Sequence, residues 1–272
     1  IHADPERKYV VPSAPGKRFK EDTKVTDMLY RCYDEVAVQG KDFTEAFAPI
    51  RERYNGIISD LGLTLNLDEE FAKIGENFKA AVGSDYAASR GEYLNGIVLA
   101  NYLGFEFNDA ARAIFFDNKG NFDADITDAC LGALLDKTPK AVIPGFYGAM
   151  PDGTIKTFSR GGSDFTGSVV AKAAKVDLYE NWTDVSGFLV ADPRIVENPE
   201  GISVITYSEL RELSYMGAGV LHEDAIFPVR SANIPINIKN TNAPQDAGTL
   251  IVPTSHAPAS EHVITGIAGK KN

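Results

Sequence analysis

The sequence predicts an α/β fold with a mostly parallel sheet. Short β-branched runs alternate with segments of helical periodicity, the pattern of strands and helices laid down in turn. The length of 272 residues, with 44% apolar and 24% charged side chains, suffices to build one large domain or two modest ones with ample core.

The elements follow in order. Lys8–Val11 reads as a buried strand, followed by a polar Pro/Gly loop over residues 12–24. A helix is predicted from Thr26, because Leu29, Cys32, Tyr33 and Val36 recur at helical spacing. Phe43–Leu61 and Asp68–Val82 read as two charged, peripheral helices. Glu92–Leu103 reads as a strongly apolar helix stopped by Gly104. Ala111–Phe116 reads as a strand, and so does Lys140–Pro144, which breaks at Pro144-Gly145. A helix over Asp164–Ala174 and a strand over Val176–Trp182 come next. Thr206-Tyr207-Ser208-Glu209 fits a capping box opening a helix to about Met216, with a second helix over Ala218–Ala232. Pro235–Ile238 and Gly248–Ile251 read as the last strands.

Composition excludes several functions. A net charge of −11, without any dense Lys/Arg run, argues against a nucleic-acid partner. No apolar stretch approaches the ~18 residues of a membrane span, and no signal peptide is visible. Cys32 and Cys130 both stand in apolar surroundings and read as buried thiols of a reduced, cytoplasmic protein. His2, His222, His256 and His262 lack ligand spacing, so no metal cage is expected. The chain begins at Ile1 and ends just as a new apolar run (Val263, Ile264, Ile267) starts, the pattern expected of a piece of a longer protein.

The richest chemistry lies in TFSRGGSDFTG, Thr157–Gly167. Gly161-Gly162 permit close backbone approach and positive φ. Ser163 or Asp164 then opens a helix whose free N–H groups favour an anion. Arg160 can grip a carboxylate or phosphate with two parallel bonds. The bland alternative is that Ser163 only caps a helix. Neither a GxGxxG fingerprint nor a Walker A loop is present. Thr183, Asp184 and Gly187 follow a predicted strand, where open parallel sheets bind ligands. Asp192-Pro193-Arg194 lies just beyond, and both stretches also suit plain turns. Glu92 is either an acid in a first helical turn or a carboxylate that recognises an ammonium group. Ser13, Ala14 and Thr26 are either caps or ligand contacts.

These stretches resemble one family. VVPSAPGKR, SRGEYLNG, FSRGGSD, WTDVSG, ADPR and ELSYMGAGVLHEDAIFPV occur in the order found in aspartate kinases of the amino-acid kinase family, and the match spans essentially the whole chain. The resemblance implies a three-layer αβα sandwich with a mostly parallel central sheet. It implies a catalytic domain over 1–262, with a substrate lobe over about 1–140, a nucleotide lobe over about 141–252 and a linker over 253–262. Residues 263–272 would then begin a truncated regulatory ACT domain, and the full-length protein would be a homodimer or larger homo-oligomer.

The implied reaction is transfer of phosphate from MgATP to the side-chain carboxylate of L-aspartate, the first step towards lysine, threonine and methionine. Glutamate or acetylglutamate kinase, or a nucleotide-binding fragment without catalysis, are the rival readings. By resemblance, Arg160, Ser163 and Ser13 hold aspartate, with Ala14 and Thr26 alongside and Glu92 facing its ammonium. Asp164 acts at the phosphoryl site, where Mg²⁺ arrives mainly on ATP. Gly145, Gly148, Gly161, Gly162, Thr183, Asp184, Gly187, Asp192 and Arg194 line the nucleotide site. Two departures stand out. The family's Lys-Phe-Gly-Gly loop is absent, and Gly219 replaces its lysine in the Gly-Ala-Lys-Val-Leu-His stretch. This chain is therefore expected to be a weak catalyst.

Overall fold

The computed structural model describes residues 1–159, 161–215, 221, 223–256 and 264–267. Arg160, Gly219, His222 and most of residues 257–272 lie outside the described residues. The chain folds as two compact units, 1–166 and 167–272.

The first unit carries β1 (Tyr9–Val10), α1 (Val25–Tyr33), α2 (Phe43–Asp60), α3 (Asp68–Lys79), α4 (Ser84–Leu103), β2 (Glu106–Phe107), α5 (Ala124–Leu135), β3 (Ala141–Val142), β4 (Tyr147–Ala149) and β5 (Ile155–Thr157). Here β3 pairs in parallel with both β1 and β2, and β4–β5 is an antiparallel hairpin. The core sits among α1–α4, where Leu29, Phe47, Tyr54, Phe71, Ile74, Phe78 and Leu94 are all buried.

The helix α6 (Gly162–Ala173) starts in the first unit, and its larger part belongs to the second. The second unit continues with β6 (Tyr179–Thr183), β7 (Val204–Thr206), α7 (Tyr207–Tyr215), α8 (Phe227–Ser231), β8 (Ile236–Asn240) and β9 (Thr249–Val252). Its sheet runs β6-β8-β9-β7, with only β8–β9 antiparallel. Ile236, Ile238 and Ile251 pack from it onto Leu210 and Val229. The α/β expectation and the mostly parallel pairing are both met.

Local signals met several outcomes. Gly104 ends α4 in the left-handed region at φ +68°, as a C-cap should. The capping box is reciprocal: the Thr206 N–H donates to the Glu209 carboxylate (2.8 Å), and the Glu209 N–H donates to Thr206 Oγ1 (3.2 Å). Residues 111–116 are not a strand. The segment folds into a 3₁₀ turn at Ala110–Arg112, with single bridges at Phe115 and Phe116, because Ala110 and Ile114 bury in one tight turn. Cys32 is buried, which pushes its thiol up to about 12. Cys130 is exposed on α5, contrary to the expectation of two buried thiols. Among the described residues no helix is long and apolar enough to cross a membrane.

Removing the capping hydroxyl with Thr206→Ala is expected to lower unfolding free energy by about 1 kcal/mol in urea titrations, and Thr206→Ser to restore most of it. Equal stability of all three forms would contradict the reciprocal cap.

Candidate functional site

In the first unit the predicted residues converge at the carboxyl ends of β1 and β3. The β1–β3 ladder runs one step past its strands, since the Ile143 N–H donates to Val10 O (2.9 Å) and the Gly145 N–H to Pro12 O (3.1 Å). That register sets Ser13 and Ala14 beside Pro144-Gly145. A Cβ on Gly145 would stand 2.7 Å from Ser163 Cβ and Oγ, so only glycine lets the start of α6 come this close.

Gly161 precedes α6 at φ +56°, and its carbonyl accepts the Phe165 N–H (2.8 Å). The capping position therefore belongs to Gly161. Ser163, weighed as the cap, sits inside the first turn with its side chain available for other work. Asp164 is half-buried in the same turn. A Cβ on Gly162 would meet Phe146 Cδ2 at 2.6 Å. The stretch is anchored by tilted ring contacts: the Phe158 ring centroid lies 4.9 Å from that of Phe116 and 4.7 Å from that of Phe165. Thr166 Oγ1 accepts the Phe146 N–H (3.0 Å) and donates to Gly162 O (2.8 Å). Gly148 lies against Ile114 O in the same unit.

Glu92 is the unusual group. The helix α4 starts at Ser84, eight residues earlier than the sequence suggests, so Glu92 stands mid-helix and cannot serve as a first-turn acid. It is 6% exposed. The backbone N–H groups of Ala14 and of Glu92 itself favour its ionised form, while Oε2 is buried with no hydrogen-bond partner. Burial pushes its pKa up to about 7, against the opposing pull of the Ala14 N–H and of Arg90.

Among the described residues the buried charged side chains are Arg53, Arg90 and Glu92. Arg90 is caged by the rings of Tyr86, Tyr93 and Tyr147 at 4.5, 4.3 and 5.2 Å, and donates to Ser89 Oγ. Glu92 thus keeps an open acceptor, which is costly unless something fills it. Asn95, three residues on along α4, donates to Ser13 O (2.7 Å) and ties the loop to the helix. Sequence reasoning passes over Asn95, although its i+3 spacing from Glu92 is readable. Thr26 is the second residue of α1, behind an N-cap at Lys24, so the capping reading does not apply to it.

In the second unit Thr183 closes β6. Its carbonyl accepts the Thr241 N–H (2.8 Å), and its hydroxyl donates to Asp184 (3.2 Å). Ser186 donates to Asp246 (2.6 Å), and Gly187 lies against Thr249 at φ +103°. Asp192 receives Arg194 through its backbone N–H (2.8 Å), Nε and Nη2, and this pairing holds its carboxyl down at about 2. Arg194 is exposed, and the pair closes its own turn.

Comparison with known proteins gives a family match and a set of relatives. A profile of the amino acid kinase family matches residues 9–240. Aspartokinase 3 of Bacillus subtilis is 37% identical over 266 residues, covering 93% of this chain and 58% of that protein. Aspartokinase 1 of the same organism is 34% identical over 187 residues, covering 65% of this chain and 44% of that one. The crystal structure of Clostridium acetobutylicum aspartate kinase is 55% identical with a TM-score of 0.93, covering 98% of this chain and 61% of that one. Aspartokinase III of E. coli, solved with aspartate and ADP, shares the fold at a TM-score of 0.78 and 24% identity, covering 95% of this chain and 60% of that one. The chain spans about half the length of the curated relatives it matches.

The buried acid has a measurable cost. Its folded pKa lies above its unfolded value, so the folded state binds more protons and stability falls as pH rises from about 4.5 to about 7. The shift corresponds to about 3 kcal/mol at roughly 1.36 kcal/mol per unit. Glu92→Gln is expected to raise Tm at pH 8 and to leave it nearly unchanged at pH 4.5. An equal effect at both pH values would contradict a strained buried carboxylate.

Proposed function

The chain belongs to the amino acid kinase family, and from that premise we propose that it phosphorylates the side-chain carboxylate of L-aspartate with ATP. The names of the 37% and 55% identical relatives, an aspartokinase and an aspartate kinase, support this choice of substrate. The observation that carries it is the open, buried Oε2 of Glu92. An acceptor of that kind fits an ammonium group, which replaces lost water with a charge-assisted bond.

The chemistry asks little of the protein beyond placement. The aspartate carboxylate is already a nucleophile, so no general base is needed. One of its oxygens bonds to the γ-phosphorus while the β–γ bridging P–O bond breaks, and ADP leaves with that electron pair. The protein's task is to hold two anions together and to offset the charge on the transferring group. Glu92 and the Ser13–Ala14 backbone orient the substrate's amino end. Arg160 and Ser163 take a carboxylate, and the free N–H groups at the start of α6 add positive potential. In the second unit Thr183, Asp184, Gly187, Asp192 and Arg194 take the nucleotide; in the first, Gly145, Gly148, Gly161 and Gly162 give nucleotide phosphate close backbone approach. Magnesium usually binds through one or two carboxylates plus substrate phosphates. Asp164 in the first turn of α6 suits that donor set, and Mg²⁺ bound there would neutralise phosphate charge. We place this chemistry in the cytoplasm, as the work of a homo-oligomeric parent protein.

A coupled ADP-release assay with a panel of amino acids tests the proposal. Turnover is expected with L-aspartate, and activity with glutamate but not aspartate would overturn it. Arg160→Ala should raise the KM for aspartate about tenfold with a smaller change in kcat. The KM for aspartate should also climb as pH falls below about 7, because Glu92 must be ionised to receive the ammonium. A KM flat from pH 6 to 8.5 would remove Glu92 from the substrate site.

A further inference from the structure

We propose that Arg53 is a positioning residue for the substrate loop: its grip on Gly16 and Asp22 fixes Ser13–Gly16 against α4, where Ala14 packs on Gly91 beside Glu92. Arg53 projects from α2 with its side chain only 5% exposed. Nη1 donates to Gly16 O (3.0 Å), and Nη2 donates to Asp22 Oδ2 (2.7 Å) and Thr23 O (3.4 Å). One guanidinium therefore ties three points of the irregular segment between β1 and α1.

Asp22 is gripped from the other side as well. The Arg18 backbone N–H and Nε donate to its Oδ2 (3.0 and 2.9 Å), and Nη2 donates to Oδ1 (3.2 Å). Arg18 and the backbone around it, with Arg53 adding to them, hold this carboxyl well below the usual carboxylate range, so the knot stays ionised throughout the working pH range.

The neighbouring residue on α2 fixes the opposite wall. Tyr54, fully buried, donates to Gly91 O (2.7 Å), one residue before Glu92. A Cβ on Gly91 would stand 2.7 Å from Ala14 Cβ, so loop and helix are in contact at Ala14 and Gly91, one residue before Glu92. Adjacent residues of one rigid helix thus hold both partners of that contact. A buried ionic knot is a poor way to gain stability alone, since well-packed apolar side chains commonly match or exceed it. Its directed fork gives geometry instead, fixing a segment that would otherwise fluctuate as exposed loops do.

The consequence for aspartate binding rests on the proposed function, and the positioning itself does not. Amide hydrogen exchange and steady-state kinetics on the full chain separate the two. Arg53→Lys keeps the charge and loses the fork, and Asp22→Asn breaks the same knot from the loop. In each, the Ala14 amide should exchange at least about tenfold faster while amides in the centre of α4 stay within about twofold. The KM for L-aspartate should rise about tenfold with kcat and the KM for ATP within about twofold, and the double variant should do no worse than either single one. Unchanged Ala14 exchange would overturn the proposal, as would uniformly faster exchange across α4, which marks a purely structural arginine. If Arg53→Lys does not fold, Asp22→Asn decides alone. Faster Ala14 exchange in the two variants, with a wild-type chain that never turns over aspartate, would uphold the positioning and refute the substrate.

Discussion

A carboxylate buried with an open acceptor oxygen is the constraint around which the first unit is arranged. Glu92 cannot relax to solvent, because α4 packs it among α1, α2 and the loop after β1. It cannot complete its own bonding, because Oε2 has no hydrogen-bond partner within the first unit. An acid held this way resists ionisation until a cation arrives. Under the proposed function, the stability lost in burying it is the counterpart of substrate recognition, a cost that natural sites commonly carry where binding happens.

The surrounding packing then reads as the means of holding that geometry. The parallel β1–β3 ladder delivers Ser13–Ala14 and Pro144-Gly145 to one level. Missing Cβ atoms at Gly91 and Gly145 let Ala14 and Ser163 close in. The phenylalanine cluster around Phe158 and the double role of Thr166 fix the entry to α6, so the glycine turn sits on a rigid frame. Such rigidity suits the proposed in-line transfer between two anions, where misplacement of an ångström costs heavily.

Much of this is legible in the residues, and the failures have physical causes. Gly104 and the Thr206–Glu209 box carry their own local mechanism, so they are readable directly. The start of α4 is not. Its first turns, Ser84–Gly91, are rich in small residues and buried on several sides, and they show no one-sided periodicity. That hides the mid-helix place of Glu92 and leaves its role open. The Ala111–Phe116 run passes for a strand because a short apolar run does not distinguish a buried turn from a strand. Arg53 and Asp22 stand 31 positions apart, and no local pattern announces a knot closed by the tertiary fold.

The most direct test of the central claim is the ionisation of Glu92 itself, followed by carbon-13 NMR of its side-chain carboxyl across pH, without and with saturating L-aspartate. A midpoint near 7 is expected in the free protein, with a fall of more than about one unit when aspartate binds, since its ammonium favours the carboxylate. A midpoint near the ordinary 4.5 in the free protein, or one that aspartate leaves unmoved, would contradict it.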